Sequence, residues 1–331
     1  MSGRFKALGL GPLGFGGAPL GNLYTPIAEA EALATVETAW SRGLRHFDTA
    51  PHYGHGLSEH RFGQVLRSKP RDEFVLSTKV GRLLSPEVNA PADQHGFAGT
   101  LPFVQRFDYS YDGVMRSFED SLQRLGLARI DVVYIHDIDR YTQKAEQPQR
   151  FREAMEGAYR ALERLRSAGT VRAIGLGVNN WEVCRDALGH GDFDGFLLAG
   201  RYTLLDQSAL PDLLPLCLER GAGIVIGGPY NSGILATGPV PGARYNYAPA
   251  TPDILASAAR LEEQCRRFGI PLRAAALQFP LGHKAVLAVI PGARSPAEVE
   301  ENIALMSAPI PPEFWAALKR ERLLAPEVPT P

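Results

Sequence analysis

The stretch His46-Phe47-Asp48-Thr49-Ala50-Pro51-His52-Tyr53-Gly54-His55-Gly56-Leu57-Ser58-Glu59 decides how the chain folds. A short apolar run ends on a carboxylate, a turn rich in proline and glycine follows, and Gly-x-Gly-x-Ser-Glu opens a helix. Strand, loop, helix is the repeating order of a parallel α/β protein, whose chemistry sits in the loops that leave the strands. Within this loop Asp48 and Tyr53 stand five residues apart. A phenol near its ordinary pKa of about 10 barely ionises at neutral pH, so proton transfer through Tyr53 calls for a cation and an orienting carboxylate close by.

Outward from this stretch the same unit recurs. Short apolar runs lie at 13–17, 46–50, 74–80, 130–136, 171–178, 196–200, 223–228 and 286–291. Helical spacing marks 28–42, 113–125, 149–168, 210–220 and 252–268 between them, which predicts β–α crossovers and a parallel sheet. Eight such units in 331 residues predict one domain over residues 1–331, an α/β protein folded as a (β/α)8 TIM barrel with its active site at the C-terminal mouth of the strands. Gly43, Gly126, Gly169 and Gly221 each follow a helical pattern just before a strand, where a left-handed helix end favours glycine. The stretches 81–110, 137–148 and 229–250 are long for α/β connections and all follow strands, so they are expected over one mouth. Their aromatic residues, Phe97, Phe103, Phe107, Tyr109, Tyr230, Tyr245 and Tyr247, either line that mouth or pack the loops down. Residues 311–331 read as a packing helix followed by a mobile proline-rich tail.

A barrel would gather Asp48 and Tyr53 with Lys79, which closes Phe74-Val75-Leu76-Ser77-Thr78-Lys79, and His136, which closes Ile130-Asp131-Val132-Val133-Tyr134-Ile135-His136. Singly, Asp48 could cap a turn, Lys79 could be a solvated strand end and His136 could be structural. Four titratable groups at the ends of three strands point to one site.

These residues resemble the catalytic tetrad of the aldo-keto reductases, whose Asp, Tyr, Lys and His match Asp48, Tyr53, Lys79 and His136. Gly177-Val178-Asn179-Asn180-Trp181 is similar to the family's Gly-Val-Ser-Asn-Phe element, and Ile290-Pro291-Gly292-Ala293-Arg294 with Glu301-Asn302 resembles its cofactor-clamping end. The likeness runs from about Leu13 to about Met306. Residues 16–24, 111–120 and 201–207 resemble a bacterial branch of NAD-dependent aldose 1-dehydrogenases, acting on L-fucose and related sugars, and of pyridoxal 4-dehydrogenases.

The resemblance implies Tyr53 as general acid/base, Lys79 as the cation that lowers its pKa, Asp48 as the group holding that ammonium, and His136 as the group orienting the substrate oxygen. It implies cofactor contacts from Asn179, Asn180, Gly228, Tyr230, Ser232, Gly292, Arg294, Glu298, Glu301 and Asn302. The chain departs from the family where Asn179 replaces a serine, Ala199 a glutamine and Gly227 a stacking tyrosine, with Tyr230 or Tyr202 as substitutes. NAD is favoured over NADP, because Gly292, Ser295 and Glu298 occupy positions where basic groups grip a 2′-phosphate, leaving Arg294 as the main local cation. The implied reaction is oxidation of an aldose at C1 to the lactone. Alternatives are a pyridoxal 4-dehydrogenase, a general carbonyl reductase and a cofactor-sensing subunit without catalysis.

Composition narrows the rest. A formal charge of −1 and no long basic run remove the footprint of a nucleic-acid binder. Cys184, Cys217 and Cys265 are odd in number and far apart, which fits reduced thiols in a cytoplasmic protein and no metal site. No apolar run approaches the roughly 20 residues of a membrane span, so a soluble, unexported enzyme for a small-molecule substrate is expected.

Overall fold

In the computed structural model, which describes residues 3–331, the chain passes through twelve strands. They are β1 (Phe15–Gly16), β2 (His46–Asp48), β3 (Val75–Val80), β4 (Arg82–Pro86), β5 (Phe103–Phe107), β6 (Val132–His136), β7 (Ala173–Val178), β8 (Gly195–Ala199), β9 (Gly223–Gly227), β10 (Arg244–Tyr245), β11 (Ala248–Pro249) and β12 (Val286–Ile290). Eight of them, β1, β2, β3, β6, β7, β8, β9 and β12, pair in that order and all in parallel. Leu13 pairs with Val289 and Gly16 with Gly292, joining the first strand to the last. The Gly14 N–H donates to the Val289 carbonyl and the Val289 N–H to that of Pro12, both at 2.9 Å, so the sheet closes into the expected barrel without free edges.

Closure follows from the side chains. The strands are apolar on both faces, as parallel strands covered by helices must be. Val75, Val132, Tyr134, Ala173, Leu197, Val225, Ala288 and Ile290 fill the interior, and Phe5 seals the floor. A Cβ on Gly195 or Gly223 would come within 2.6 Å of the Phe5 ring, so those two glycines make room for the plug. With the floor closed, the C-terminal ends of the strands form the accessible mouth.

Helices Glu29–Ser41, Tyr111–Leu125, Gln147–Glu153 continuing into Tyr159–Ser167, Leu213–Arg220 and Pro252–Arg267 stand where helical spacing places them, and helices Leu57–Leu66, Glu182–Ala187, Leu272–Gln278 and Pro296–Met306 join them in the outer ring. The four pre-strand glycines all have positive φ, from 62° to 91°. Among the described residues the three cysteines are free and buried, no group of side chains could hold a metal, and no helix is long and apolar enough to cross a membrane.

Two expectations change. The long stretches are structured: residues 81–110 contain the antiparallel hairpin β4–β5, residues 137–148 the short helix Arg140–Gln143, and residues 229–250 the helix Ile234–Thr237 and the ribbon β10–β11. The C-terminal tail is packed, because Val328 is buried and Thr330 and Pro331 lie directly against Gly282.

Candidate active site

Neighbouring strands β2, β3 and β6 bring the three strand-end residues together. Asp48 lies opposite Ser77, Lys79 opposite Tyr134 and His136 opposite Gly177. The Lys79 Nζ donates to Asp48 Oδ2 at 2.7 Å and to the Thr49 carbonyl at 2.8 Å, and the Ser77 hydroxyl donates to Asp48 Oδ1 at 2.7 Å. Both charged partners are buried, at 1% and 2% exposure, so each needs the other to offset its lost hydration. Gly177 leaves space for the lysine stem, since a Cβ there would stand 3.2 Å from Lys79 Cε.

The turn that carries Tyr53 rests backbone on backbone. A Cβ on Gly21 would lie 2.4 Å from the Tyr53 carbonyl carbon, and Gly54 approaches the Gly21 oxygen with φ of +66°. The following helix clamps the turn: Thr49 donates to Ser58 at 2.9 Å, and Ser58 donates to the Gly17 carbonyl at 2.8 Å. Buried Glu59 accepts from Thr78 at 2.8 Å and from Arg124 at 2.6 Å. The half-buried Tyr53 ring is thereby held over Lys79, whose Nζ is 4.6 Å from the ring centroid, and edge-on to His136 at 6.2 Å.

Electrostatics assign starting protonation states. Burial, then the carboxylates of Asp48 and Asp137, push the Tyr53 phenol well above its usual 10, with Arg82 pulling the other way. The phenol therefore begins protonated. Lys79, paired with Asp48, stands 4.6 Å from the ring centroid, and Arg82 joins it as a second cation, one the sequence did not point to, that opposes the rise. Burial, then Lys79 and Arg82, hold the His136 imidazole well below its ordinary value, so it is neutral at neutral pH. Burial pushes the Asp48 carboxyl up, while Lys79 and Ser77 pull it back.

Sequence reading missed the shell around the tetrad. Asp137 follows His136 at φ of +54°, a conformation uncommon for a residue with a side chain. Its Oδ2 lies 3.4 Å from His136 Nε2 and accepts from Arg82 at 2.5 Å. Arg82 also donates to Gln105 Oε1 at 3.0 Å, and that oxygen lies 2.9 Å from His52 Nδ1. The Tyr109 hydroxyl donates to the His136 carbonyl at 2.7 Å, and Gln143 donates to the Asp137 carbonyl at 2.8 Å. The signal available was slight: Gly81-Arg82 after Lys79, and Asp137 after His136, which meet only when the hairpin folds over the mouth.

The ten residues expected to contact cofactor stand at the C-terminal ends of β7, β9 and β12, or in the helix that follows β12. The N–H groups of Asn179 and Asn180 both donate to Asp139, and Asn179 Nδ2 lies 3.4 Å from Asp137 Oδ1, on the edge of the tetrad. Gly228 has positive φ, the Tyr230 hydroxyl donates to Asn302 Oδ1 at 2.6 Å, and Ser232 accepts from the Tyr247 N–H at 2.9 Å. Gly292 packs against the Pro19 ring, Glu298 accepts from the Arg294 N–H at 2.8 Å, and Glu301 pairs with Arg273.

One expectation gains detail and one fails here. Arg294, the local cation expected here, has its guanidinium committed to the carbonyls of Leu23, Thr25 and Pro26 at 3.1 to 3.2 Å. Tyr202 cannot stack on a cofactor ring, because it is fully buried against Phe279 and His283. The side chains left on this side are amides, hydroxyls, carboxylates and guanidinium groups already engaged. That set suits ribose hydroxyls and a carboxamide better than a 2′-phosphate dianion.

With the barrel and the tetrad located, kinship can be placed. The model of the Aldo/keto reductase family matches residues 12–321. The chain belongs to the aldo/keto reductase family. It is an NAD(P)-dependent oxidoreductase acting on CH–OH groups. It is 46% identical to pyridoxal 4-dehydrogenase of Microbacterium luteolum over 325 residues, covering 95% of this chain and 94% of that protein. It is 39% identical to D-threo-aldose 1-dehydrogenase of a Pseudomonas species over 329 residues, covering 98% of this chain and 96% of the relative. Among solved structures, the holo form of aldo-keto reductase AKR11C1 from Bacillus halodurans superposes with a TM-score of 0.70 at 25% identity, covering 94% of this chain and 92% of that one.

Proposed function

We propose that this protein is an NAD-dependent dehydrogenase that oxidises the hydroxyl-bearing carbon of a cyclic hemiacetal to a lactone, with pyridoxal as its first substrate. The observation that carries this reading is the buried Lys79–Asp48 pair beneath Tyr53 and beside a neutral His136, at a mouth bordered by Phe97 and His52. Rings on that wall suit a planar ring substrate. The 46% identity to a pyridoxal dehydrogenase favours pyridoxal over an aldose, for which the corresponding relative is 39% identical. L-Fucose or a sugar of like configuration is the second reading, since its anomeric carbon presents the same hemiacetal and the same tetrad serves both.

Bound NAD supplies the hydride acceptor for oxidation, and its reduced form the donor for reduction. Asn179, Asn180, Gly228, Tyr230, Ser232, Gly292, Arg294, Glu298, Glu301 and Asn302 would hold it, the amides and hydroxyls through hydrogen bonds and Arg294 by tethering the 23–26 segment. The coenzyme is NAD: the one guanidinium among these residues, that of Arg294, is engaged by backbone carbonyls, and the carboxylates of Glu298 and Glu301 would disfavour a neighbouring 2′-phosphate.

Tyr53 takes the proton of the substrate hydroxyl as the carbon loses hydride, and returns it in the reverse reaction. His136, held neutral, gives that same oxygen a hydrogen bond without adding charge, which fixes the hydroxyl against the phenol. Lys79 has two N–H groups committed to Asp48 and Thr49, and its Nζ stands 4.6 Å from the Tyr53 ring centroid, where its charge stabilises the phenolate that must form. Asp48 and Ser77 keep that ammonium from swinging away.

A panel of pyridoxal, L-fucose and simple aldehydes with NAD or NADH tests the proposal. Pyridoxal should give NADH and lactone in equal amounts with the highest kcat/KM of the panel. A panel in which only open-chain aldehydes turn over, or in which NADP outperforms NAD at subsaturating concentration, would overturn it.

A further inference from the structure

His52 immediately precedes Tyr53, yet nothing in the mechanism above uses it. Its ring is 5.8 Å from that of His136, 6.3 Å from that of Tyr53 and 5.1 Å from that of Phe97, so it forms part of the wall beside the reacting groups.

Its hydrogen-bond polarity is dictated by neighbours. Arg82 carries only donors, so the Gln105 atom 3.0 Å from its guanidinium must be the amide oxygen. That same oxygen lies 2.9 Å from His52 Nδ1 and can only accept there, which puts the imidazole proton on Nδ1. Burial, then Arg82 and His136, hold the ring well below its ordinary value, so it is neutral and Nε2 keeps a bare lone pair. Among the described residues Nε2 has no hydrogen-bond partner, and it is not among the sealed polar atoms, in contrast to His136 Nδ1 and both nitrogens of His46. The Arg82–Asp137 pair, at 2.5 Å, anchors the whole arrangement.

We propose that His52 Nε2 reads the substrate by accepting a hydrogen bond from a hydroxyl adjacent to the reacting carbon, which makes His52 a specificity-determining residue. The selected substrates are those that carry such a hydroxyl, as an aldose or a hydroxyaldehyde does. This deepens the function proposed above, because it rests on Tyr53 and His136 holding the reacting oxygen beside His52. It applies to L-fucose and to hydroxyaldehydes, which carry that hydroxyl on the next carbon, whereas pyridoxal offers its ring hydroxyl one carbon further away.

The test compares glyceraldehyde with propanal, a pair that differs only in hydroxyl groups, in NADH-dependent reduction. A single hydrogen bond gained on transfer from water predicts that the wild type favours glyceraldehyde by about tenfold in kcat/KM. His52→Phe should bring that ratio near one, with the loss falling on the KM for glyceraldehyde. His52→Asn, which keeps an acceptor, should retain part of the preference, and Gln105→Leu, which frees the tautomer, should fall between. The proposal is overturned if His52→Phe lowers both substrates equally, if it leaves the ratio unchanged, or if the wild type shows no preference or takes neither. Failure of the hemiacetal reading looks different, since pyridoxal and L-fucose would then give no NADH while the ratio still responds to His52.

Discussion

Tyr53 starts as a neutral phenol in a site that disfavours its anion, and oxidation needs the anion as proton acceptor. Its folded-state pKa is raised, so the fraction in the required form grows only as pH climbs, and kcat/KM for oxidation should increase through the alkaline range. Arg82 is a cation that opposes this rise, while Asp137 adds to it. Arg82→Met leaves Asp137 uncompensated, so it should move the alkaline limb upward and lower the rate near neutrality. Lys79→Met should do the same, by removing the charge that stabilises the phenolate. A pH profile for Arg82→Met that overlays the wild type, under conditions where chemistry limits the rate, would remove Arg82 from this role. The four tetrad positions could be read from the chain because each closes an apolar run or follows one by a few residues. Arg82 and Asp137 could not, because they are 55 residues apart and meet only through the hairpin.

Between elements, the Tyr53 turn depends on main-chain contact with Gly21. A Cβ at Gly21 would stand 2.4 Å from the Tyr53 carbonyl carbon, and a backbone atom cannot step aside as a side chain can. Gly21→Ala should therefore displace the Tyr53 turn, costing about 1–3 kcal/mol of stability and lowering kcat at least tenfold. Gly11→Ala is the control, since its Cβ would meet only the Leu13 oxygen at 4.0 Å. Equal thermal midpoints and turnover for the two variants would show that the close approach does not position Tyr53. At this level the barrel strands were visible as eight apolar runs, whereas the β4–β5 hairpin was not. Residues 87–102 separate its two arms, and its side chains alternate too weakly in polarity to mark a strand. The tail was misread for a related reason: its prolines signal a break in helix, but Val328 and the surface around Gly282 supply a docking place that composition does not reveal.

Across the molecule, closure of the barrel traps titratable groups far from water. His46 sits inside with neither ring nitrogen hydrogen-bonded, and burial followed by Lys79 lowers its pKa from 6.5 to about 4. The folded-state value lies below the unfolded one, so stability is fully present above about pH 6.5 and is lost as pH falls toward 4. For His46 alone the loss reaches about 3 kcal/mol by pH 4. His136 and His52 act in the same direction. Urea midpoints taken from pH 7 to pH 4 should fall steeply, and His46→Met should flatten that slope; an unchanged slope would mean that the His46 ring is hydrated in the folded state. The eightfold alternation made the barrel legible from hydrophobic spacing alone, because each strand is covered on both faces and each connection is helical. The state of its buried imidazoles was not legible, since it depends on what closure leaves without water. The most direct test of the proposed function sets turnover of pyridoxal with NAD beside NADH affinity, in the wild type and in Tyr53→Phe. Loss of the phenolic hydroxyl should cut kcat by several orders of magnitude while NADH binds within about threefold of the wild type. A variant that keeps more than about a tenth of the wild-type rate, with chemistry limiting, would contradict a mechanism in which Tyr53 carries the proton.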